Sequence, residues 1–302
     1  MNGHIMDTVP RRPSAALRPL VLCALAAALC LAPRGAFADG SAWLAEPGTG
    51  FVNVSYVYQT ADEFYRAQEK RPTPAGGEDL SQGTVWVNLD YAMTDSLAVD
   101  VQVGWAQSDF VVLFPGPAPE DSYSGLVDTT VGLTWRVVDE AISDAPSVAF
   151  RIGGIVAGDY DTGYINSLGD GGNGYEASVI VGKFLGDRFG LSGELGYRDR
   201  DNDIPSAVYA NLSALWLFNE RFTLGLDYQQ VNSESALDIG APGFSPARFP
   251  ELEEDVQSVG VRLFWNLGNV GLNMFHARVV DGRNTAAHGI TGATLSYFFD
   301  TL

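Results

Sequence analysis

Beyond residue 30 this 302-residue chain has no cysteine, and the two it has, Cys23 and Cys30, lie near its N-terminus. Each follows a leucine rather than the small residue that precedes a lipidated cysteine, so neither lipidation nor disulfide chemistry is read. Long apolar runs are missing too: no stretch reaches the roughly 18 residues that a membrane-spanning helix requires. Positive charge is scarce, with 18 Lys and Arg against 37 Asp and Glu. That excludes nucleic acid as a partner, because binding it takes basic groups to displace phosphate counterions. Histidine is rare as well, and past the N-terminal segment only His276 and His288 remain. His288 shares a loop with Asp281, yet no convergent polar cluster of the kind a hydrolase needs can be assembled around either histidine. Gly182-Lys183 lacks both the preceding glycine and the following Ser or Thr of a phosphate loop. No catalytic residue, metal site or cofactor site is read.

The first 38 residues have the layout of an export signal. Arg11, Arg12 and Arg18 precede the apolar run from Leu20 to Leu31, and Ala36-Phe37-Ala38 supplies small residues for cleavage. The mature chain is expected to start at Asp39 and to form one domain to residue 302. Those 264 residues carry 14 basic and 36 acidic groups, a net charge of −22.

What the mature chain does have is alternation. In TVWVNLDYAMTDSLAVDVQVGWAQ, Thr84 to Gln107, the odd positions are apolar and the even ones include Asn88, Asp90, Asp100 and Gln102. Period 2 through two segments around a Thr-Asp-Ser turn reads as a β-hairpin with one apolar and one polar face. The pattern recurs in twelve segments: 51–59, 84–93, 96–107, 126–137, 147–156, 175–184, 189–198, 208–218, 222–229, 256–265, 270–279 and 290–299. Most have about the 9 to 11 residues that a tilted strand needs to cross a bilayer.

The links between them alternate in length. Those at 94–95, 185–188, 219–221 and 266–269 are short and 138–146 is somewhat longer, whereas 60–83, 108–125, 157–174, 199–207, 230–255 and 280–289 are mostly longer. Short turns at one end and long loops at the other is the pattern of an outer-membrane barrel, and an even strand count puts both termini in the periplasm. Aromatics on the apolar parity gather near the short turns (Tyr91, Trp135, Phe189, Trp216, Phe218, Phe222, Trp265, Phe299) and near the long loops (Tyr56, Tyr58, Trp105, Tyr175, Tyr197, Tyr228). Amphipathic rings favour the headgroup level, so two such belts mark the two interfaces of a membrane. The fold class is therefore all-β: a transmembrane antiparallel β-barrel of about 12 strands. An open edge in hydrocarbon would leave unsatisfied backbone groups, so the last strand, GATLSYFF, must pair with the first, GFVNVSYVY. The chain runs past Phe299 to Asp300-Thr301-Leu302, where such barrels usually end on an aromatic.

Parity places Asn88, Asp90, Asp100, Gln102, Asp128, Arg136, Arg151, Glu176, Glu194, Arg198, Asp227 and Arg262 on the lumen side. Two readings of these charges stand: salt bridges that fill the interior, or a transverse field that orients a solute as charged rings do in selective pores. Twelve strands imply a backbone diameter of roughly 24 Å and a free width of roughly 10 Å. The loop Val231 to Asp255, with Phe244, Phe249 and three prolines, serves as either a constriction or a cap. The loop Gly158 to Gly174 carries Asp159, Asp161 and Asp170 but lacks the glycine and terminal glutamate of an EF-hand, so it reads as a solvated turn.

The stretches SGLVDTTVGLTWRVVDE, FRIGGIVAGDYDTGY and LGDGGNGYEASVIVGKFLGDRFGLSGELGYRDR, from Ser124 to Arg200, resemble the outer-membrane family labelled "MetA-pathway of phenol degradation". The shared features are a G-x-x-D-T-x-x-G-L strand, a G-D-Y-x loop and an E-L-G-Y-R strand. The resemblance implies an outer-membrane transporter, with small aromatic or apolar compounds as the expected cargo and no site residues to carry over. The expected function is thus a channel for small solutes. The alternative is a closed structural barrel whose acidic loops bridge to lipopolysaccharide through divalent cations. Expected partners are the lipid bilayer, lipopolysaccharide, a small solute and, during biogenesis, the barrel-assembly machinery.

Overall fold

The computed structural model describes residues 41–73, 79–110 and 122–301. The expected export signal, 1–38, lies outside them. From the N-terminus the strands are β1 (Thr49–Ala61), a short hairpin of β2 (Glu63–Arg66) and β3 (Glu69–Pro72), β4 (Leu80–Ala92) and β5 (Leu97–Asp109). Then come β6 (Ser122–Leu126), β7 (Thr129–Val138), β8 (Ser147–Val156), β9 (Gly174–Leu185) and β10 (Phe189–Arg200). The last five are β11 (Ala207–Leu217), β12 (Phe222–Ser233), β13 (Asp255–Asn266), β14 (Val270–Arg283) and β15 (Gly289–Asp300). All twelve expected segments are strands. The fourth is longer and interrupted: β6 and β7 together make one barrel strand, broken at Val127 and Asp128, where the Val127 amide still donates to the Gly104 carbonyl at 3.0 Å.

With β6 and β7 counted as one strand and the β2–β3 hairpin standing apart as its own two-stranded sheet, each barrel strand pairs antiparallel with its neighbours in chain order, and β1 pairs with both β4 and β15. The β1–β15 register runs from Thr49 opposite Asp300 to Thr60 opposite Gly289, so first and last strands close the wall as expected. The result is a closed twelve-stranded antiparallel barrel. Closure removes the sheet edges that hydrocarbon could not satisfy.

Alternation fixes which face is which. Val54, Val87, Val103, Ile152, Leu195 and Leu226 point out of the wall, and each of these apolar side chains is exposed. Their neighbours in sequence Asn53, Ser55, Asn88, Gln102, Arg151 and Glu194 are buried. The aromatic belt at the short-turn end is built from touching rings. Near the short turns Tyr91 stacks on Phe299, Trp135 meets Phe150, Phe189 and Phe218 flank Trp216, and Phe222 stacks on Trp265.

The short turns carry their own local chemistry. Thr94 Oγ1 accepts from the Ser96 and Leu97 amides, and Asn219 Oδ1 accepts from those of Arg221 and Phe222. Gly186 and Gly268 adopt φ of 71° and 93°, a region that only glycine enters without strain.

Both barrel ends are covered. At the short-turn end residues 41–48 run inside the wall: Trp43 packs on Phe184, Leu215 and Leu217, and Ala42 on Ala149 and Ile180. Trp43 Nε1 donates to Glu140 Oε1 at 2.6 Å, and the other Glu140 oxygen accepts from the Phe184 amide at 3.0 Å. At the long-loop end Phe64, Leu80, Phe110 and Ala286 form a buried cluster with Ile165, Ile239 and Phe249 packed on it. These residues come from five different connections, which therefore meet over the barrel. The loop after Val231 is thus not a merely exposed cap: it folds over the barrel with Ile239 and Phe249 packed on that cluster and a 3₁₀ turn over Pro246–Glu251.

Candidate functional site in the barrel interior

The interior is organised around Arg151 on β8. Its guanidinium donates to Asp100 on β5 through Nε at 3.1 Å and Nη2 at 2.7 Å. Its Nη1 pairs with Glu176 on β9. Glu176 in turn accepts from Arg198 on β10, at 3.1 and 2.9 Å, and the Arg198 guanidinium lies 5.5 Å from the Tyr209 ring centre on β11. Charge-assisted bonds of this kind are the strong ones, and burial raises the stakes of losing either partner.

The Arg151–Asp100 pair has to cross β7, which lies between β5 and β8. It passes over Gly132, where a Cβ would sit 2.5 Å from both the guanidinium and the carboxylate. Glycine is there because nothing larger leaves room for the pair.

The other expected residues divide into groups. Asn88 stands opposite Gln102, and Asp90 opposite Asp100, across the β4–β5 ladder. Asp227 accepts from Ser213 at 2.6 Å and pairs with Arg262 at 3.2 Å, on the other side of the barrel. Glu194 accepts from Asn211 Nδ2 at 2.9 Å. Asp128 sits at the strand break, bonded to the Gly158 amide at 3.1 Å and to the Tyr160 hydroxyl, with Arg200 at 3.9 Å. Arg136 stands apart at the short-turn rim, where it pairs with Asp139 at 2.8 Å and donates to the Asp95 carbonyl at 2.6 Å.

Two expectations are corrected. The loop 157–173 is not a solvated turn: Asp159 bridges back to Leu126, Asn166 is buried, and Tyr160 packs with Trp86 beside Ala106, Tyr123, Val127 and Leu168. Among the described residues no group of three or more His, Cys, Asp or Glu is placed to hold a metal ion. Nor is the interior a channel about 10 Å wide. Asn53, Asn88, Asn273, Thr294 and Ser296 are all buried, because inward side chains and the 41–48 segment occupy the space.

Sequence reasoning missed Trp43, Glu140, Trp86, Tyr160, Ser178, Tyr209 and Asn211. Trp86, Ser178, Tyr209 and Asn211 lie on the inward parity of their strands, so the rule that found the acids would have found them. Trp43, Glu140 and Tyr160 lie outside the strands and carry no such signal.

A closed twelve-stranded barrel with an apolar exterior, paired aromatic belts and a charged interior is an outer-membrane barrel by construction. The chain belongs to the family described as "Putative MetA-pathway of phenol degradation", which matches residues 46–297. Among solved structures it is similar to the COG4313 outer membrane channel from Pseudomonas putida F1, with 15% identity, a TM-score of 0.68, and coverage of 87% of this chain and 100% of that one. It is also similar to the NanC porin, with 7% identity, a TM-score of 0.51, and coverage of 82% and 98%. At these identities the likeness is one of fold. No curated protein matches the chain.

Proposed function

We propose that the protein is a channel of the bacterial outer membrane for small solutes, with aromatic and apolar compounds as its cargo. The observation that carries this reading is the apolar cluster of Phe64, Phe110, Ile165, Ile239 and Phe249 at the long-loop end, set directly over a charged interior. A solute with a ring can exchange places with those side chains, since stacked and edge-on aromatic contacts form and break without leaving a polar group unpaired. The membership of a family described by phenol degradation, and the likeness in fold to a protein described as an outer membrane channel, support the same reading. Beneath the cap the inward wall residues from Asn88 to Arg262, Arg136 at the short-turn rim apart, then have to shift to let the solute pass. The chain is delivered by cleavage of an export signal, with the mature protein starting at Asp39, and is inserted by the barrel-assembly machinery among lipopolysaccharide.

Flux into vesicles tests it. Proteoliposomes with the protein should take up a small fluorescent aromatic faster than protein-free vesicles, and Phe64→Asp with Phe249→Asp should slow that uptake. Equal uptake with and without protein, together with no ion conductance in a planar bilayer, would leave a closed structural barrel.

A further inference from the structure

Arg278 stands where an arginine is least expected, on the lipid-facing side of the wall. Along β14 the outward positions include Met274, His276, Arg278 and Val280, and all four side chains are exposed. Among the described residues of the barrel strands, Arg278 is the one arginine or lysine on the outward parity in the outer half of the wall. No acid or other polar group of the described residues pairs with it. Asp281, the nearest acid along the strand, is turned to its own neighbour, since its Oδ1 accepts from the Gly282 amide at 2.9 Å. His276 Nδ1 lies 2.9 Å from Thr291 Oγ1, which leaves Nε2 for a partner outside the chain.

The registers put this pair at the outer interface. Arg278 is opposite Val259, itself opposite Tyr228, and His276 is opposite Thr291, itself opposite Tyr58. Both tyrosines belong to the belt near the long loops, so the pair lies at headgroup level rather than in hydrocarbon, where an outward arginine is costly. Beside Arg278 on β15 is Gly289, where a Cβ would meet nothing closer than the Thr60 carbonyl at 3.9 Å. The wall is therefore bare next to the guanidinium, and a headgroup can reach it from the side. Above it the β2–β3 hairpin is docked on the β14–β15 connection, with the Tyr65 amide donating to the Thr285 carbonyl at 2.8 Å. Arg66 on that hairpin is exposed and has no acid paired with it either.

We infer that Arg278 and His276, with Arg66 above them, form a binding site for a phosphate group of lipopolysaccharide on the outside of the barrel. The inference rests on the outer-membrane location proposed for the chain, because the leaflet around the long-loop end of such a barrel presents phosphorylated sugar headgroups. A guanidinium and a phosphate make two parallel charge-assisted hydrogen bonds, and the fork of an arginine fits that geometry better than a lysine does. The charge distribution favours this sector. Elsewhere at the outer rim the outward parity carries acids, as at Asp109 and Asp199, and the mature chain has 36 acidic groups against 14 basic ones. Phosphate is therefore repelled from most of the circumference and drawn to the one stretch where basic side chains have no acid beside them.

Native mass spectrometry of the full mature protein in detergent micelles tests the site, with EDTA present to remove bridging divalent cations. The probes are lipid A carrying both phosphates, the same lipid A dephosphorylated, and phosphatidylglycerol. Phosphorylated lipid A should bind at least tenfold more tightly than either of the others, and Arg278→Gln should weaken it by at least tenfold. If Arg278→Gln does not fold, His276→Gln takes its place and must weaken binding likewise. Inorganic phosphate at the concentration of the lipid should not displace it. Equal binding of the dephosphorylated lipid, equal binding of phosphatidylglycerol, displacement by inorganic phosphate, or undiminished binding in the variants overturns the proposal. The readout does not depend on flux: a barrel that does not conduct leaves the lipid site standing, and a barrel that conducts without binding lipid A leaves the channel standing.

Discussion

Replacing Arg151 with methionine removes the side chain on which two buried acids converge. The guanidinium is 1% exposed, and the Asp100 and Glu176 side chains are 6% and 2% exposed. Glu176 keeps Arg198, so the loss falls on Asp100. Breaking a buried pair by deleting one partner costs about 3 to 5 kcal/mol, chiefly because an uncompensated charge is left behind. Methionine preserves most of the stem packing, so the whole of that cost should appear as lost stability. Adding Asp100→Asn removes the stranded charge and should recover most of it, leaving the double variant within about 1 kcal/mol of the wild type, the net worth of an ordinary hydrogen bond.

Urea titration of refolding into lipid vesicles, followed by tryptophan fluorescence under reversible conditions, measures both variants. Arg151→Met costing less than about 1 kcal/mol would mean that water reaches Asp100 and that the interior is wetter than its burial implies. A double variant no better than the single one would mean that the cost was packing rather than charge. Either outcome refutes the reasoning.

Three further outcomes are expected. Val103→Arg, on the exposed apolar face, should lose about 2 to 4 kcal/mol in vesicles while Val103→Leu is nearly neutral, and equal effects would reverse the facing. Trp43→Ala should undock the 41–48 segment, since truncating a buried tryptophan costs about 3 to 5 kcal/mol, and planar-bilayer conductance should rise; unchanged conductance would mean that the barrier lies elsewhere. At the cap, hydrogen bonds from Arg283 hold the Asp238 carboxyl below its ordinary value of 3.8. A lowered acid stabilises above its unfolded value and loses that contribution as pH falls through the folded one, so the cap should resist pepsin at pH 4 and become cleavable well below it, a step that Asp238→Asn should erase.

The fold was legible because lipid imposes a period of two on every crossing strand, and the short links, aromatic belts and closing pair all follow from that. The hairpin of β2 and β3 was not, because EFYR and EKRP lie outside the bilayer, where no such pattern is required. The site was legible in one dimension only. Alternation said that Gln102 points inward, but not how much space it finds there; it is buried, so Gln102→Arg must overpack a filled interior, which an open lumen would have accepted.

Pairing within the site depends on register between strands, which no single strand reveals. Arg151 meets Asp100 two strands away, and the intervening residue is the one that permits it. This points to a signal that composition does carry. Gly132 stands opposite Asp100, Gly153 opposite Glu176, Gly196 opposite Tyr209 and Gly225 opposite Arg262, and in every case a Cβ would come within 3.1 Å of the large side chain there or of Arg151 beside it. A glycine on the inward parity of a barrel strand therefore marks a place where a neighbour's long side chain lies flat across the wall. Once closure fixes the registers, such glycines identify which inward charges reach across a strand to pair, whereas an inward acid to which no arginine is brought, as Glu194 is, takes its hydrogen bonds from the neutral side chain opposite it, here Asn211.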